Sequence, residues 1–416
     1  MENYIINKLD YCLGCKVKPC KKGCPLDNDI TEFIRLMKLE KYKEAYEVAT
    51  NTSVLQSICG RICPHKSQCE GSCVRGIKGN SVSIGEIEAY LGDKAIEEGY
   101  TISNFDELGK GKRVAIIGRG PAGLTCAAFL ARHGVEVTIY EKYDKLGGIL
   151  RHGIPKFRLP KDILDKNINK ILSLGIKVIY NKELGKNLSL DDLTNKYDFI
   201  FIAIGANISW KMNIEGENLE GVYGGNELLE KGCHPDYKGK TVIVSGGGNV
   251  AMDCARTIKR LGAKSVKVVY RRAEEQMPAE QKEIDDAKSD GVEFLFQNNI
   301  LKIVGETKVN GVECIRTELV QKDGESRLSP VNIDGSNYNI EADFVIMAIG
   351  STVESNIVEK LDLQLDKNGY IVVDENYETT RKNIFAGGDI VGNKSTVAWA
   401  AKNGRIAAEK ILNKMR

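Results

Sequence analysis

Residues 113–141 read RVAIIGRGPAGLTCAAFLARHGVEVTIYE, and this stretch decides the fold of the middle of the chain. The short apolar run RVAIIG is typical of a strand that is buried on both faces of a parallel sheet. A glycine turn follows it, then the helix-like stretch LTCAAFLARHG and a second strand, EVTIYE. This order of strand, glycine turn, helix and strand predicts a dinucleotide-binding βαβ unit.

The glycine turn contains Gly118, Gly120 and Gly123 in G-x-G-x-x-G spacing. Glycines at these positions permit a tight turn and let a pyrophosphate lie against the helix N-terminus. Glu141 follows about 20 residues later, at the end of the second strand, where a carboxylate accepts hydrogen bonds from ribose hydroxyls. A glycine-rich turn without a ligand is the alternative, but the following acid favours a dinucleotide.

The same pattern recurs at residues 241–272, TVIVSGGGNVAMDCARTIKRLGAKSVKVVYRR. Its second strand ends in Arg271-Arg272 instead of an acid. Paired guanidinium groups can bind a 2′-phosphate, which an acid would repel. A solvated basic pair is the alternative interpretation. We therefore expect the acidic loop to bind FAD and the basic loop to bind NADP(H).

A third motif, Gly387-Gly388-Asp389, precedes the last helical stretch of the chain. In flavoproteins with two dinucleotide-binding domains, an Asp in such a motif binds the ribityl chain of the flavin. A helix that starts near Thr396 would point its positive end towards the isoalloxazine ring. A simple turn is the alternative for the two glycines.

Eight of the twelve cysteines lie in the first 73 residues, in the runs Cys12-x2-Cys15-x4-Cys20-x3-Cys24-Pro25 and Cys59-x3-Cys63-Pro64-x5-Cys69-x3-Cys73. Such spacing, with a Cys-Pro closing the first run, favours two iron–sulfur clusters. A disulfide framework is disfavoured because no apolar signal segment precedes the runs. Structural zinc usually shows separated C-x2-C pairs. The other four cysteines are expected to be buried apolar side chains: Cys126, Cys233, Cys254 and Cys314.

The rest of the sequence indicates the domain organisation. Residues 30–50 and 84–98 place apolar side chains near helical spacing, so the first hundred residues predict a helical domain around the cysteine loops. Residues 305–340 are polar and rich in turns, which predicts hairpins or a β-meander. We expect an α/β protein with a helical di-cluster domain at 1–107, an FAD-binding domain at 108–236 and 345–416, and an NADP-binding domain at 237–344 inserted in it.

The bulk composition excludes several classes of function. The chain has 59 basic and 57 acidic residues among 416, which gives no indication of a nucleic-acid surface. It has no apolar stretch of about 18 residues, so we expect no membrane span. A reduced, cytoplasmic protein is the simplest expectation.

These features together resemble the small (β) subunit of bacterial NADPH-dependent glutamate synthase. The chain is similar also to the N-terminal half of dihydropyrimidine dehydrogenase and to the large subunit of the electron-bifurcating NADH-dependent ferredoxin:NADP oxidoreductase. The resemblance covers nearly the whole chain. It lies in the phrases CGRICP, CEGSC, LGGILRHGIPKFRLPKD, GGGNVAMDCAR, VVYRRAEEQMPA and FAGGDIVGN.

The resemblance implies ligand sets that the cysteine spacing alone does not. The first cluster would take Cys12, Cys15, Cys20 and Cys73. The second would take Cys24, Cys63 and Cys69 with a Glu or Gln of a helix, here Glu88, in place of Cys59. A helix from about Ile84 would turn Glu88 inward with Ile84 and Leu91. A solvated glutamate on a charged helix is the alternative.

The same comparison and the motifs name the nucleotide contacts. Arg158 would contact the flavin nucleotide and Gly350 would lie near the nicotinamide. The residues expected to bind FAD are Gly118, Gly120, Pro121, Ala122, Gly123, Glu141, Lys142, Gly148, Arg151, Arg158, Gly388, Asp389, Thr396 and Val397. Those expected to bind NADP(H) are Gly246, Gly248, Asn249, Val250, Arg271, Arg272 and Gly350.

The resemblance implies an oxidoreductase that passes electrons from NADPH through FAD and two [4Fe-4S] clusters to a second protein subunit. A glutamate synthase large subunit is the first expected partner. A ferredoxin:NADP transhydrogenase or a sulfide dehydrogenase is the alternative. A thioredoxin-reductase-like disulfide is not expected, because Cys254 has no second cysteine nearby in the sequence. A redox scaffold without turnover and a zinc-stabilised flavoprotein are rival interpretations.

Overall fold

The computed structural model describes residues 2–321, 328–392 and 394–416, without the side chains of residues 2 and 3. Backbone packing divides the chain into two compact units. Unit 1 comprises Met1–Arg151, Lys156–Ala206 and Val353–Arg416, and unit 2 comprises His152–Pro155 and Asn207–Thr352. The second unit is thus inserted in the first, as the sequence predicts for the two dinucleotide-binding parts.

The first part of unit 1 is helical, with α1 Glu2–Asp10, α2 Pro19–Gly23, α3 Ile30–Lys38, α4 Tyr42–Thr50, α5 Gln56–Ile62 and α6 Ile84–Glu97. The apolar stretch 30–50 forms two helices, because the chain turns between them at Glu40, whose φ is 57°. Asp29 caps α3 by accepting a hydrogen bond from the backbone N of Glu32 at 3.3 Å. Between α5 and α6 lies the irregular segment that carries Cys63, Cys69 and Cys73.

Unit 1 continues with β1 Arg113–Ile117, α7 Pro121–Ala131, β2 Glu136–Tyr140, α8 Ile149–His152, α9 Lys161–Leu172, β3 Lys177–Ile179, α10 Leu190–Thr194 and β4 Phe199–Ile202. The predicted strand–turn–helix–strand unit is therefore present as β1, α7 and β2. Strand β1 pairs in parallel with both β2 and β4. Four of its five residues are buried, as expected for a strand covered on both faces.

Unit 2 contains β5 Ile208–Ser209, β6 Val222–Gly224, α11 Gly225–Lys231, β7 Thr241–Ser245, α12 Asn249–Arg260, β8 Ser265–Tyr270, α13 Gln281–Ser289, β9 Glu293–Phe296, β10 Asn298–Gly305, β11 Val309–Val320, β12 Ser329–Asn332, β13 Tyr338–Glu341, β14 Phe344–Met347 and β15 Ser351–Thr352. Its parallel sheet has the order β6-β14-β7-β8-β9. A second sheet is antiparallel, with β10 and β12 paired to β11 and β13 also paired to β11. This sheet accounts for the described part of the polar, turn-rich stretch, residues 305–321 and 328–340, and residues 322–327 of that stretch lie outside the described residues.

Unit 2 is wider than the NADP-binding segment assigned from the sequence at 237–344. Strand β6 pairs with β14 from Val222↔Val345 to Gly224↔Met347, which draws both strands into the same sheet as β7. Helix α11 packs on α12. Residues 207–236 and 345–352 therefore lie with unit 2.

The chain returns to unit 1 with α14 Ser355–Val358, β16 Ile384–Ala386 and α15 Val397–Met415. Strand β16 completes a five-stranded parallel sheet of order β16-β4-β1-β2-β3. Helix α15 packs closely on α7, because a Cβ at Gly404 would stand only 2.1 Å from the carbonyl oxygen of Ala122. The architecture predicted from the sequence, a helical domain followed by two nested dinucleotide-binding folds, is confirmed.

Within the described helices, none combines the length and the apolar character that crossing a membrane requires.

Candidate functional site

The first group of cysteines lines one cavity in the helical domain. Cys12 and Cys15 come from the loop between α1 and α2, Cys20 from α2, and Cys73 from the segment before α6. Apolar side chains complete the lining, among them Ile34. Burial, together with the neighbouring Cys12 and Cys73, raises the pKa of the Cys20 thiol to about 11. The structure thus brings together the four residues expected at the first cluster.

A second group forms where α2, α5 and α6 meet. The Glu88 carboxylate raises the pKa of the thiols of Cys24, Cys63 and Cys69, which places all three near it. Burial is the largest cause of the shifts at Cys24 and Cys69. At Cys63 the largest cause is a hydrogen bond with Cys59, whose thiol therefore lies in the same group. Cys59 and Glu88 are both close enough to be candidates for the fourth ligand.

Two glycines let the helices that carry this group approach closely. A Cβ at Gly60 on α5 would stand 2.3 Å from the backbone N of Ala89, and one at Gly92 on α6 would stand 2.4 Å from the backbone N of Ser57. Larger residues would separate the helices. The close crossing brings the end of α5 beside the middle of α6, where Glu88 lies.

Glu88 is 8% exposed and faces inward, as the helical spacing predicts. Asn28 Nδ2 donates a hydrogen bond to its Oε1 at 3.5 Å. Burial raises the pKa of Glu88 to about 8, and the hydrogen bond opposes that shift. The solvated glutamate considered above is excluded. A carboxylate buried at this depth is costly unless a cation or a metal balances it.

All twelve cysteines are free thiols. Of the four outside the two runs, Cys126, Cys254 and Cys314 are buried as expected, whereas Cys233 is exposed, so the expectation was wrong for Cys233. In the described part of the chain, no three His, Cys, Asp or Glu side chains surround a point closely enough to bind one metal ion. A cubane differs from such a site, because its four protein ligands bind a cluster rather than one ion. The two groups described above have donor sets of that kind, with soft thiolates and few competing oxygens.

The first glycine loop has the shape that a pyrophosphate requires. Gly118 has a φ of 110°, and a Cβ there would stand 2.3 Å from the carbonyl oxygen of Ala203. A Cβ at Gly120 would meet no atom within 4 Å, so space is open above it. Pro121, Ala122 and Gly123 form the first turn of α7. The loop can therefore admit a phosphate against the helix N-terminus.

Glu141 lies at the end of β2 and is 3% exposed. Its Oε1 accepts a hydrogen bond from the backbone N of Tyr143 at 2.8 Å and lies 3.3 Å from Nε of Arg119. Arg119 is itself buried, and its guanidinium lies 4.1 Å from the centre of the Tyr143 ring. Burial raises the pKa of Glu141 to about 7, while Arg119 and Lys142 lower it.

Two further glycines converge on this loop. A Cβ at Gly148 would stand 2.9 Å from Cα of Gly120, and one at Gly388 would stand 3.1 Å from Cβ of Ala122. Asp389 follows Gly388, and burial raises its pKa to about 6. The LGG and GGD segments of the sequence therefore meet at the start of α7.

Asn403 of α15 fixes the GGD turn, although the sequence analysis did not single it out. Its Oδ1 accepts a hydrogen bond from the backbone N of Gly388 at 3.0 Å, and its Nδ2 donates to the Tyr377 hydroxyl at 2.7 Å. Thr396 caps α15 by accepting from the backbone N of Trp399 at 3.3 Å, and Val397 begins the helix. The sequence feature that could have indicated Asn403 is a single amide residue among the residues on the buried face of α15.

The remaining residues expected at FAD have other contacts within unit 1. Arg151 donates through Nε to the carbonyl oxygen of Leu146 at 2.6 Å and pairs with Asp165. The Lys142 ammonium lies 5.0 Å from the centre of the Tyr143 ring. Arg158 is half-buried in the loop before α9. The roles of these three at the flavin nucleotide stay predictions.

The second glycine loop has the same shape in unit 2. Gly246 has a φ of 139°, and a Cβ there would stand 2.2 Å from the carbonyl oxygen of Ala348. A Cβ at Gly248 would approach only Pro278, at 3.9 Å. Asn249 and Val250 begin α12, and the Asn249 side chain accepts a hydrogen bond from the backbone N of Glu280 at 3.1 Å.

The two arginines after β8 differ in their surroundings. Arg271 is exposed, whereas Arg272 is half-buried and its Nε donates to the carbonyl oxygen of Leu328 at 3.0 Å. Gly350 follows β14 with a φ of 145°, and a Cβ there would stand 2.9 Å from the Trp210 indole. The backbone N of Trp210 donates to the Gly350 carbonyl at 3.0 Å. Trp210, which the sequence analysis did not single out, therefore borders the position expected for the nicotinamide.

Comparison with known proteins agrees with this arrangement. Residues 2–100 match the family model described as dihydropyrimidine dehydrogenase domain II, 4Fe-4S cluster. Residues 112–404 match the model described as pyridine nucleotide-disulphide oxidoreductase. FprA from Mycobacterium tuberculosis in complex with NADPH has a similar fold, with a TM-score of 0.64 and 20% identity over 73% of this chain and 84% of that one.

The sequence relatives are more similar. The glutamate synthase [NADPH] small chain of Escherichia coli is 38% identical, over 97% of this chain and 90% of its own length. That of Azospirillum brasilense is 36% identical, over 96% of this chain and 87% of its own. The NADP(+)-dependent formate dehydrogenase subunit beta of Moorella thermoacetica is 35% identical, over 94% of this chain and 59% of its own.

These matches exclude the zinc alternative for the cysteine runs, because the matching domain is a 4Fe-4S domain. They also show a protein that uses FAD and NADP(H), which agrees with the presence of two glycine loops of the dinucleotide-binding kind. The chain belongs to the family of glutamate synthase small chains, FAD- and NADP(H)-dependent oxidoreductases that carry [4Fe-4S] chemistry in their N-terminal domain.

Proposed function

We propose that the chain is the NADPH-oxidising subunit of a glutamate synthase and delivers electrons to a separate large subunit. The observation that carries the proposal is the gathering of eight cysteines and one glutamate into two groups, in a helical domain joined to two glycine-loop units. A bound flavin would supply the chemistry that links two-electron hydride transfer from NADPH to one-electron transfer to the clusters. The chain's own residues supply binding, orientation and charge.

In unit 1, Gly118, Gly120 and the N-terminus of α7 would hold the FAD pyrophosphate, and Glu141 would accept the ribose hydroxyls. Gly388 and Asp389 would hold the ribityl chain beside them. The positive end of α15, capped by Thr396, would favour negative charge on the flavin ring. No acid–base pair is needed for this transfer.

In unit 2, Gly246 and Gly248 would hold the NADP pyrophosphate, and Gly350 would border the nicotinamide. Arg271 would bind the 2′-phosphate most directly, because it is exposed at the end of β8. Arg272 donates to a backbone carbonyl and would contribute less. A charge-assisted contact is worth roughly 1.5–3 kcal/mol, so each would change affinity by about 10-fold to 100-fold.

In the helical domain, Cys12, Cys15, Cys20 and Cys73 would bind the first cluster. Cys24, Cys63, Cys69 and Glu88 would bind the second. We expect anaerobically prepared protein to contain one FAD and about eight iron atoms, the sum for two four-iron clusters. Four iron atoms at full occupancy, or zinc in place of iron, would contradict the assignment.

The nucleotide preference can be measured by following flavin bleaching in an anaerobic stopped-flow instrument. NADPH should reduce the wild type at far lower concentration than NADH. Arg271→Ala should raise the NADPH concentration required for flavin reduction by about 10-fold or more and leave the NADH concentration unchanged. Arg272→Ala should raise the required NADPH concentration by less. Lys264→Ala, at an exposed position before β8, is the control. Equal response of the wild type to both nucleotides would refute the assignment.

The partner is tested by adding a purified glutamate synthase large subunit with glutamine, 2-oxoglutarate and NADPH. Glutamate formation that requires both proteins is the expected result. Relatives named formate dehydrogenase subunit beta and NADPH-Fe(3+) oxidoreductase subunit beta indicate that chains of this kind serve other partners too. If glutamate is not formed but ferredoxin or sulfide exchanges electrons with NADPH, the transhydrogenase or sulfide dehydrogenase alternative replaces this partner.

A further inference from the structure

Exposed apolar side chains surround the first group of cysteines. Ile77 and Val17 are 77% and 74% exposed, more than any other large apolar side chain among the described residues. Leu13, which is 57% exposed, lines the same cavity as the four cysteines. Burying such side chains in water-free contact with another protein is favourable, and several together usually mark an interaction site.

Specific contacts make these side chains part of one surface. Lys38 Nζ donates to the carbonyl oxygen of Cys12 at 3.0 Å, which brings the end of α3 and the exposed Leu39 against the cysteine loop. Arg75 Nε donates to the carbonyl oxygen of Tyr11 at 3.0 Å, and its guanidinium lies 4.2 Å from the centre of the Tyr11 ring. We name Tyr11, Leu13, Val17, Leu39 and Ile77, with the basic residues among them, the first-cluster face.

The first-cluster face is basic. Residues 12–24 and 73–80 contain six lysines and arginines and no aspartate or glutamate, although the whole chain carries a net charge of only +2. Lys18 pairs with Asp29 at 2.6 Å, and Lys21 lies 3.8 Å from Asp27. Lys16, Lys22 and Lys78 are exposed and form no ion pair within the described residues. The face therefore keeps a positive rim around an apolar centre.

The two cysteine groups differ in access to this face. In the first group Cys12, Cys15 and Cys73 are partly exposed and Cys20 is buried. In the second group Cys24 is partly exposed, whereas Cys59, Cys63, Cys69 and Glu88 are buried. Another protein can thus approach more of the first group than of the second. An apolar centre with a charged rim is the usual anatomy of an interface, and complementary charge steers association.

We propose that the first-cluster face docks an acidic surface of the electron-accepting partner, so that electrons leave the chain through the first group of cysteines. The inference rests on the proposed electron-transfer function. It adds where the partner binds and what charge its docking surface carries.

The test compares three acceptors with NADPH as donor: an acidic flavodoxin, the basic cytochrome c and the small anion ferricyanide. Flavodoxin reduction should be the faster protein reaction at low salt and should slow by about ten-fold as salt screens the face. The triple variant Lys16→Glu, Lys22→Glu, Lys78→Glu should lose about ten-fold in that rate and lose its salt dependence. Val17→Asp should weaken flavodoxin reduction while ferricyanide reduction and iron content stay unchanged.

Matched controls are Lys264→Glu and Ile333→Asp, exposed positions in unit 2. If the face variants behave like these controls, or if the wild type prefers cytochrome c, the docking inference is overturned. Failure of NADPH to reduce even ferricyanide would instead overturn the proposed function. If the flavodoxin results are as expected but a glutamate synthase large subunit does not bind, the docking inference stands and only the identity of the partner changes.

Discussion

Two regions of the molecule each bury one carboxylate, and they balance its charge differently. Glu141, at the first glycine loop, pairs with the buried Arg119 and accepts a backbone hydrogen bond. Glu88, in the helical domain, receives one hydrogen bond from Asn28 and forms no ion pair in the described part of the chain. Burial raises the pKa of both, to about 7 and about 8.

The neighbours of Glu88 make the contrast sharper. They are the thiols of Cys24, Cys63 and Cys69, which become negative themselves when they ionise. The raised pKa values favour the protonated, neutral forms of these groups, and a metal centre that binds them as anions supplies the balancing positive charge. Arg119 thus balances the ionised form of Glu141 within the chain, whereas among the described residues Glu88 has no cation that would favour its ionised form, which a bound cluster would supply.

The largest effect is expected from Glu88→Ala, which tests whether Glu88 is a cluster ligand. The variant should lose the second cluster and fall from about eight to about four iron atoms, with the first cluster retained. Cys59→Ser should leave the iron content unchanged, although Cys59 lies in the same group. Iron and sulfide analysis with electron paramagnetic resonance measures both. The reverse result would make Cys59 the fourth ligand.

A smaller effect is expected from Glu141→Gln, which removes the charge that Arg119 balances. Loss of a charge-assisted hydrogen bond to the ribose should weaken FAD binding by about 10-fold or more. In the apoprotein the variant also removes the cost of ionising a buried carboxyl, and this gain opposes the cost of leaving Arg119 buried without its partner. Flavin fluorescence gives the FAD dissociation constant, and thermal melting of the apoprotein gives the stability change.

Two variants separate the binding effect from the folding effect. Glu136→Gln, at the exposed first position of the same strand, should change neither quantity. Adding Arg119→Ala to Glu141→Gln should recover the stability that the unpaired Arg119 costs and should not recover FAD affinity. Recovery of both would mean that Glu141 only balances Arg119 and does not contact the ribose.

The sequence predicts the carboxylates better than their partners. Glu141 follows from the spacing of a known motif, and the inward direction of Glu88 follows from helical periodicity with Ile84 and Leu91. Arg119 occupies a variable position of the glycine motif, and nothing in the local pattern indicates that its side chain turns back to the end of β2. Such a contact depends on how β1 and β2 pair, which is a tertiary property.

The extent of unit 2 was less predictable for a similar reason. Its edge strand β6 is only three residues long and pairs with β14, more than a hundred positions later in the sequence. Short strands carry little periodic signal, so the boundary at 237 followed the glycine motif alone. The different surroundings of Arg271 and Arg272 were also hard to predict, because the hydrogen bond of Arg272 is to the backbone of Leu328, which is distant in the sequence.

The smallest effect is expected from Arg119→Ala, which tests how far the ion pair holds Glu141 in its ionised form. The pKa of Glu141 is about 7 in the folded protein and 4.5 in its ordinary state, so between these values the unfolded chain has released a proton that the folded chain keeps. The stability of the apoprotein therefore falls by about 3 kcal/mol as pH rises through this window and is level above it. Arg119 and Lys142 are the positive groups that lower this pKa, so removing Arg119 raises it and extends the decline to higher pH.

Urea unfolding of the apoprotein at a series of pH values measures this shift, and Glu141→Gln, which cannot titrate, supplies the baseline. FAD affinity gives a second readout, because the ionised carboxylate is the better acceptor for the ribose hydroxyls. Affinity should rise with pH through about 7 in the wild type and only at higher pH in Arg119→Ala, leaving the variant a few-fold weaker near neutrality. Parallel pH profiles for the two proteins would mean that Arg119 does not control the charge of Glu141, and the contrast with Glu88 would then rest on the thiols alone.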